Sequence, residues 1–234
     1  MPNPRYMESQ TEIEWSMRTT LVDWLLQVHL RYHMLPETLW IAVNIIDRFL
    51  SVRVVSLVKL QLVGVTAMFI AAKYEEILAP SVDEFVYMTE NGYTRDEILK
   101  GERIILQTLD FNISAYCSPY SWVRRISKAD DYDLQTRTLS KFLIEATLLD
   151  HRFLRAKPSL VAAIGMYLAN RMLGKTWVHP PPLSLCRPRP PPLTRLRRAS
   201  LFAERGLRLL LKLYREPAHP GGRLHHRGAR DARV

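Results

Sequence analysis

The sequence predicts an all-α fold. Apolar residues recur at helical spacing through most of residues 16–173, and no segment requires a sheet. Several helix starts are marked by a side chain that accepts from free backbone N–H groups or by a proline in the first turn. With 234 residues and 47% hydrophobic content, the chain can bury a sizeable core, in one large domain or two small ones.

Apolar stripes predict the first three helices. Ser16 is expected to cap the first helix. Its stripe comprises Met17, Leu21, Trp24, Leu25, Val28 and Tyr32. Pro36 opens the second helix. The third helix, Leu57–Glu75, is apolar nearly all round from Leu60 to Ala72, so it belongs at the centre of a bundle.

Capping boxes predict the next two helices. In this motif a hydroxyl accepts from a free backbone N–H group and a carboxylate three residues later accepts from the cap residue. The motif occurs at Ser81–Glu84 and at Thr94–Glu97, and it places helices at about 82–88 and about 95–109. These helices complete a five-helix module.

A second, shorter set of helices follows. Ser118 and Pro119 supply a cap and a first-turn proline, and further helices are expected over about Leu134–Leu149 and from Pro158. Only about three of the five helices of a second such module are present. After Trp177 the chain enters proline runs, which cannot be helical.

The excess positive charge lies in the last quarter of the chain. The net charge is +10, but residues 1–177 hold 20 Lys and Arg against 20 Asp and Glu, which leaves 13 against 3 in residues 178–234. This tail also contains 9 of the 15 prolines, and its basic residues are 12 Arg and one Lys. We interpret the tail as a segment without a native fold, produced by a shifted reading frame, a retained intron or a mis-drawn gene model, and expect it to be disordered.

Several classes of protein are disfavoured. Cys117 and Cys186 lie far apart, which predicts neither a disulfide framework nor a zinc ribbon and fits a reducing compartment. No charge-free apolar stretch reaches the roughly 18 residues of a membrane span. The first residues lack the apolar region of a secretory signal, so neither a membrane protein nor a secreted one is expected.

No constellation of residues predicts catalysis. His29 and His33 stand four apart, as zinc ligands do, but the glutamate of that motif is missing, so two partly exposed histidines are expected. Glu75–Glu76 and Asp130–Asp133 lack a facing partner or nucleophile and are expected to be solvated helix-end charges. The glycines form no phosphate loop. We therefore predict no catalytic residue, no metal and no cofactor.

Three segments carry a family resemblance. They are Met17–Leu25, Asn44–Leu50 and Ala71–Glu76, with sequences MRTTLVDWL, NIIDRFL and AAKYEE. In this order and spacing they resemble the cyclin box, the helical domain that binds and activates a cyclin-dependent kinase. The resemblance covers about residues 6–177 and implies a cyclin fold with one complete box, a truncated second box and a tail.

Other segments narrow the resemblance. Lys59–Gly64 and Asp110–Asn112 also fit the cyclin pattern, while Ser127–Asp133 and Tyr6–Glu8 resemble fungal B-type cyclins, the G2/mitotic-specific class. The resemblance thus implies a fragment of a B-type cyclin that lacks the N-terminal degradation segment typical of the family.

The resemblance also implies a kinase-binding site. Lys73 at the end of the third helix and Glu102 in the fifth correspond to the residues that hold the kinase in such cyclins. A lysine there complements the helix dipole and can donate to partner carbonyls, and a glutamate can accept from partner N–H groups. The implied surround is Tyr74, Glu76, Ile77, Phe111 and Ile113. Without the resemblance, the two charges would be interpreted as solvated and the aromatic residues as core.

A second implied site is a shallow apolar patch that docks Arg-x-Leu segments of substrates and inhibitors. Its matching residues are Met17, Leu21, Trp24, Gln27, Leu60 and Gln61. Gln27 replaces an acidic residue that is common in animal cyclins, which weakens the attraction for the motif's arginine. Met17, Leu21 and Trp24 also fit an ordinary core stripe.

We therefore expect a non-enzymatic subunit that activates a cyclin-dependent kinase at the G2/M transition, in the nucleus and cytoplasm. The expected units are an N-terminal segment (1–15), a complete box (16–113), a partial box (114–177) and the tail (178–234). The alternative is a transcription factor with paired cyclin folds that binds nucleic acid. Such a protein would carry a basic face, whereas residues 1–177 are balanced in charge.

Overall fold

The computed structural model describes residues 1–129 and 132–175, and this part of the chain is helical without any strand. The all-α prediction is therefore confirmed. The helices are α1 (Trp15–Arg31), α2 (Pro36–Leu50), α3 (Leu57–Glu75), α4 (Val82–Met88), α5 (Arg95–Thr108), α6 (Pro119–Ala129), α7 (Leu134–Glu145) and α8 (Pro158–Met172). Two 3₁₀ helices, Tyr6–Ser9 and His151–Arg155, were not predicted. The predicted tail, residues 178–234, lies outside the described residues.

Helix α3 lies at the centre of the first five-helix unit. It packs against α1, α2, α4 and α5, and its residues from Val63 to Ala72 are all buried. The close approach of α1 depends on Gly64, because an added Cβ would lie 2.6 Å from Cδ1 of Leu21. By length and composition α3 could cross a membrane, but most of it is buried inside the fold, as in the core helix of a soluble domain.

Both predicted capping boxes are present. The Ser81 hydroxyl accepts from the backbone N–H of Glu84, whose carboxylate accepts from the Ser81 N–H at 2.5 Å. Thr94 and Glu97 make the same reciprocal pair at the start of α5. The predicted cap of α1 is wrong: the helix begins one residue before Ser16, and its cap residue Glu14 makes no side-chain cap bond.

Helices α6, α7 and α8 form the second unit, in which α8 packs against the other two. The Ser118 hydroxyl accepts from the N–H of Ser121, as a cap should. Helix α7 ends at Glu145 rather than near Leu149. Asp133, expected as a solvated charge, instead caps α7 and pairs with Lys175, and the Lys175 hydrogen bond lowers its pKa to about 2.

A buried polar network joins the two units. The Arg18 guanidinium donates to both Asp47 oxygens at 2.8 Å, and the Tyr6 hydroxyl donates to the same carboxylate at 2.8 Å. Arg18 also donates to the carbonyl of Leu148, 3.2 Å away in the second unit. Its side chain is 2% exposed, so the network replaces the hydration that burial removes from this cation.

Candidate functional site

Lys73 and Glu102 lie together on the surface of the first unit. Lys73 occupies the last turn of α3, where a cation complements the helix dipole, and Glu102 lies midway along α5. Their side chains form an ion pair and are 44% and 13% exposed. The Lys73 Nζ also lies 4.3 Å from the centroid of the Phe69 ring, which packs edge-on against Phe85. The two residues that the resemblance selected are therefore adjacent and accessible.

This pair is suited to exchanging partners. Lys73 is 44% exposed, so water already solvates the cation of this pair, and an ion pair at a surface contributes only about 0–1 kcal/mol. Breaking it to bind another chain therefore costs little, and Lys73 and Glu102 then offer three donors and a carboxylate to a partner backbone.

Several exposed apolar side chains lie within ten residues of Lys73 or Glu102 in the sequence. Ile77 is 97% exposed and Leu78 90%, both just beyond the end of α3, and Tyr74 is half-exposed. Phe111, two residues past the end of the α5 cap, is 67% exposed with φ of 55°. Ile77 and Leu78 are adjacent, and exposed apolar side chains side by side are typical of surfaces that bind another protein. The sequence analysis missed Leu78, which its apolar character next to Ile77 could have indicated.

Ile113 does not belong to this exposed set. It is 7% exposed and packs in the hydrophobic core, so its main role is packing. The preceding turn is held by Arg48, which donates to the Asn112 carbonyl at 2.7 Å. This bond fixes the left-handed turn that presents Phe111.

Glu76 has a structural role that the sequence analysis did not predict. Its carboxylate accepts from the Leu35 N–H at 2.7 Å and from the Thr38 hydroxyl at 2.5 Å, at the start of α2. It is therefore not the solvated charge expected for Glu75–Glu76. Burial, with the nearby carboxylates of Glu37 and Glu76, raises the pKa of Glu75.

The residues of the implied docking patch divide into two groups. Leu21 and Leu60 are 6% and 5% exposed and belong to the core. Met17 and Trp24 are half-buried, while Gln27 and Gln61 are exposed. Leu21 packs against Gly64 and therefore cannot contribute more than an edge to a surface patch.

Thr20 is the exposed residue that the sequence analysis missed. It lies three residues after Met17 and four before Trp24, which places all three on one helical stripe, and it is exposed where Leu21 is buried. The three-residue spacing from Met17 could have indicated it.

A groove of about 540 Å³ continues from this stripe towards the end of α4. Its lining includes Trp24 and Gln27 from α1 and Glu90 from the turn after α4. Gln27 donates to the Asp23 carboxylate at 3.0 Å. Glu90, held at φ of 54°, therefore supplies an acid in the groove where position 27 has none.

Both histidines were expected to be partly exposed, but only His33 is exposed. His29 is 8% exposed, with the backbone of Met34 and Leu35 beside its ring. Burial lowers the pKa of His29. Within residues 1–129 and 132–175, no group of three or more His, Cys, Asp or Glu side chains is arranged to hold a metal ion.

An all-helical first unit around a central apolar helix, followed by a second helical unit, agrees with the cyclin fold that the sequence resemblance implies. The family model described as "Cyclin, N-terminal domain" matches residues 1–114, and "Cyclin, C-terminal domain" matches residues 117–182. The chain belongs to the cyclin family.

The chain is similar to fungal G2/mitotic-specific cyclins. It is 59% identical over 175 residues to the G2/mitotic-specific cyclin cdc13 of Schizosaccharomyces pombe and 56% identical over 175 residues to the G2/mitotic-specific cyclin-B of Emericella nidulans. Each match covers 75% of this chain and 36% of the relative. The B-type resemblance is confirmed, and the chain spans just over a third of the length of these relatives.

Solved structures share the fold. A viral cyclin from herpesvirus saimiri superposes with a TM-score of 0.70 at 20% identity and covers 89% of each chain. A chain of the yeast RNA Pol II CTD kinase CTDK-1 complex gives a TM-score of 0.62 at 13% identity, over 70% of this chain and 57% of that one.

Proposed function

We propose that this chain is a regulatory subunit that binds and activates a cyclin-dependent protein kinase at the G2/M transition. The observation that carries the proposal is the Lys73–Glu102 ion pair at the surface, with the exposed side chains of Tyr74, Ile77 and Phe111 near it in sequence. Membership of the cyclin family and the names of the mitotic relatives support it. So does the likeness to a chain from a kinase complex.

The mechanism proposed is binding without chemistry by the cyclin itself. Lys73 and Glu102 exchange their mutual ion pair for hydrogen bonds to the kinase backbone, and the apolar side chains bury surface against it. A kinase that binds better in its active conformation is shifted towards that state by the difference in affinity. The kinase's mobile helix is the element that this face would hold.

The Lys73→Ala/Glu102→Ala variant tests this proposal. Kinase activation should fall by at least about tenfold, because two charge-assisted contacts are lost, each worth about 1.5–3 kcal/mol. Helical circular dichroism should be unchanged, because both residues reach the surface. The matched control is Asp83→Ala/Arg95→Ala, which removes an exposed ion pair between α4 and α5 and should leave activation intact. Full activation by a folded Lys73/Glu102 variant would contradict the proposal.

We also propose that the stripe Met17, Thr20 and Trp24 docks Arg-x-Leu segments of substrates and inhibitors. The half-buried apolar groups suit the leucine, and Glu90 in the adjoining groove suits the arginine. Leu21 and Leu60 support the patch from beneath. This assignment refines the implied patch by replacing Leu21 with Thr20 at the surface.

The rival function, nucleic-acid binding with paired cyclin folds, predicts a basic face on the folded units. Residues 1–177 carry equal numbers of basic and acidic side chains, which disfavours it. Titration with duplex DNA at physiological salt tests it directly, and micromolar binding by the full chain would favour the rival.

For the proposed kinase subunit, we further propose a division of the chain into four units, residues 1–15, 16–113, 114–177 and 178–234. We also propose that it is located in the nucleus and cytoplasm.

A further inference from the structure

A groove lies between α3 and α5 and is closed at one end by the loop that follows α2. It has a volume of about 420 Å³, within the range of about 300–1,000 Å³ that is typical of ligand pockets. Its α5 lining includes Lys100 and Ile104. Glu102 lies on the opposite flank of α5, because residues two apart on a helix do not share a face. The groove is therefore a different surface from the Lys73–Glu102 pair.

The groove has apolar walls and apolar lips. Its walls include Phe49, Val55, Leu62, Val63 and Ile105. At the lips, Val54 is 62% exposed and Ile104 is 41% exposed, and the neighbouring Val52 and Val58 are more exposed still. Aliphatic side chains left in water on both sides of an apolar groove indicate that an apolar group fills it.

An unsatisfied hydroxyl lies in the groove lining. Thr66 is fully buried, and its Oγ1 has no hydrogen-bond partner in the described part of the chain. Helical threonines commonly donate to the carbonyl four residues earlier, and a buried polar group without a partner costs about 1–3 kcal/mol. Gly101 faces this hydroxyl, since an added Cβ would lie 3.0 Å from it. Because Gly101 has no side chain, the backbone of α5 lies directly over the Thr66 hydroxyl.

The rim of the groove carries a cation that is free to bind. Lys59 pairs with Glu97 at 3.2 Å across the groove. Lys100, also at the rim, has no carboxylate within ion-pair distance among residues 1–129 and 132–175. The rim therefore has one uncompensated positive charge, which complements an acidic group.

We propose that this groove docks a short peptide segment of a partner protein, in which bulky apolar side chains are followed directly by acidic residues. The apolar side chains fill the space between Val54 and Ile104, and the carboxylate pairs with Lys100. The site is separate from both the kinase-binding face and the Arg-x-Leu patch, so a partner bound here leaves them accessible. A symmetric dimer that pairs this groove with itself is disfavoured, because the lips present no acidic group to Lys100 except Glu97, which Lys59 already pairs.

The test uses the full chain and a fluorescein-labelled peptide, GSLFDEGS, in a fluorescence-polarisation titration. Two matched peptides, GSAADEGS and GSLFNQGS, remove the apolar or the acidic group and should bind more weakly. Ile104→Glu should weaken binding of GSLFDEGS by about tenfold or more, because it places at the apolar lip a charge that the bound apolar side chains would desolvate. Lys100→Glu should weaken it by about fivefold, which is the scale of one exposed ion pair.

Matched controls separate the groove from general effects. Leu30→Glu places the same charge on an exposed aliphatic residue of α1, and Arg103→Glu reverses an exposed cation of α5 outside the groove; both should bind the peptide normally. Circular dichroism of each variant checks folding. The proposal is overturned if GSLFDEGS does not bind at any protein concentration reached in the titration, or if it binds Ile104→Glu and Lys100→Glu as tightly as the unsubstituted chain. Loss of binding only in Met17→Ala/Trp24→Ala would also overturn it. Self-association that depends on Ile104 and is not displaced by the peptide would also overturn it.

Discussion

At the scale of single residues, Asp47 allows the first unit to bury the Arg18 cation. It accepts two hydrogen bonds from Arg18 and one from the Tyr6 hydroxyl, all at 2.8 Å. Burial and the Asp47 carboxylate raise the pKa of Tyr6, so its hydroxyl stays protonated and donates. The arrangement satisfies the carboxylate without water, which is the condition for burying such a pair.

Asp47→Ala should lower the free energy of unfolding by about 3–5 kcal/mol, because it leaves the Arg18 charge buried without a partner. Urea denaturation followed by circular dichroism measures the change. The matched control, Asp83→Ala, removes an exposed carboxylate that pairs with Arg95 and should cost less than about 1 kcal/mol. Equal effects of the two substitutions would mean that the buried pair contributes nothing beyond a surface pair.

His29 makes stability depend on pH. Burial lowers its pKa in the folded chain below the ordinary value near 6.5, while the backbone of Leu35 and Met34 and the Glu76 carboxylate act in the opposite sense. The unfolded chain therefore binds more protons just below pH 6.5, so the stability contributed by neutral His29 is present above that pH and is lost as the pH falls. Thermal denaturation between pH 7.5 and 5.5 should show a smaller loss of stability in His29→Phe than in the unsubstituted chain. His151, whose pKa burial also lowers, remains in both proteins and contributes to the residual dependence.

At the scale of the elements, local signals predicted helix positions well. Proline at the first position and capping boxes act within one turn, so α2 begins at Pro36 and α4 spans Val82–Met88, as predicted. The apolar pattern of α3 likewise matches its observed range, Leu57–Glu75. The start of α1 was misplaced because Ser16 is a good cap in isolation, whereas packing extends the helix to Trp15. The two 3₁₀ helices carry no comparable signal.

The site was predicted less completely than the helices, because exposure depends on contacts between elements. The resemblance selected Lys73 and Glu102, which the structure brings together. It could not separate Leu21 from Thr20, since only the approach of Gly64 on α3 decides which of the two is buried. Glu76 was expected in solvent because its partners lie about 40 residues away, at the start of α2.

The α1 stripe allows a direct test of substrate docking. Met17→Ala/Trp24→Ala should reduce phosphorylation of Arg-x-Leu substrates by about tenfold and leave substrates without the motif nearly unchanged, because docking adds affinity only where the motif is present. Thr20→Glu should have a similar selective effect without touching the core. Steady-state kinetics with the two substrate types measures the difference. Equal loss for both substrates in all variants would mean that the stripe serves packing or kinase binding instead.

At the scale of the whole molecule, the two units are joined through α1. Arg18 donates to the Leu148 carbonyl and Thr19 to the Leu149 carbonyl, both at 3.2 Å. Trp15 stacks on His151 at 4.2 Å between ring centroids, which fixes the 3₁₀ helix that follows α7. The N-terminal segment adds Tyr6 to the same cluster. Both units are therefore packed against α1. A partner that contacts one unit binds a protein whose other unit is held by the same helix.

This coupling predicts how disruption spreads. Arg18→Met keeps most of the side-chain volume but removes the bonds to Asp47 and Leu148. Amide hydrogen exchange should then quicken in α2 of the first unit and also in residues 146–150 of the second, because both lose a buried contact with the same guanidinium.

Arg124→Met is the matched control. It also breaks an ion pair between the units, Arg124 with Glu37 at 3.0 Å, but the Arg124 side chain is 66% exposed. No buried cation loses its partner there, so faster exchange should be confined to α6 and to the first turn of α2 around Glu37, and residues 146–150 should be unaffected. Acceleration confined to α2 in Arg18→Met would contradict the coupling, because it would show that the second unit keeps its stability when the buried link is removed.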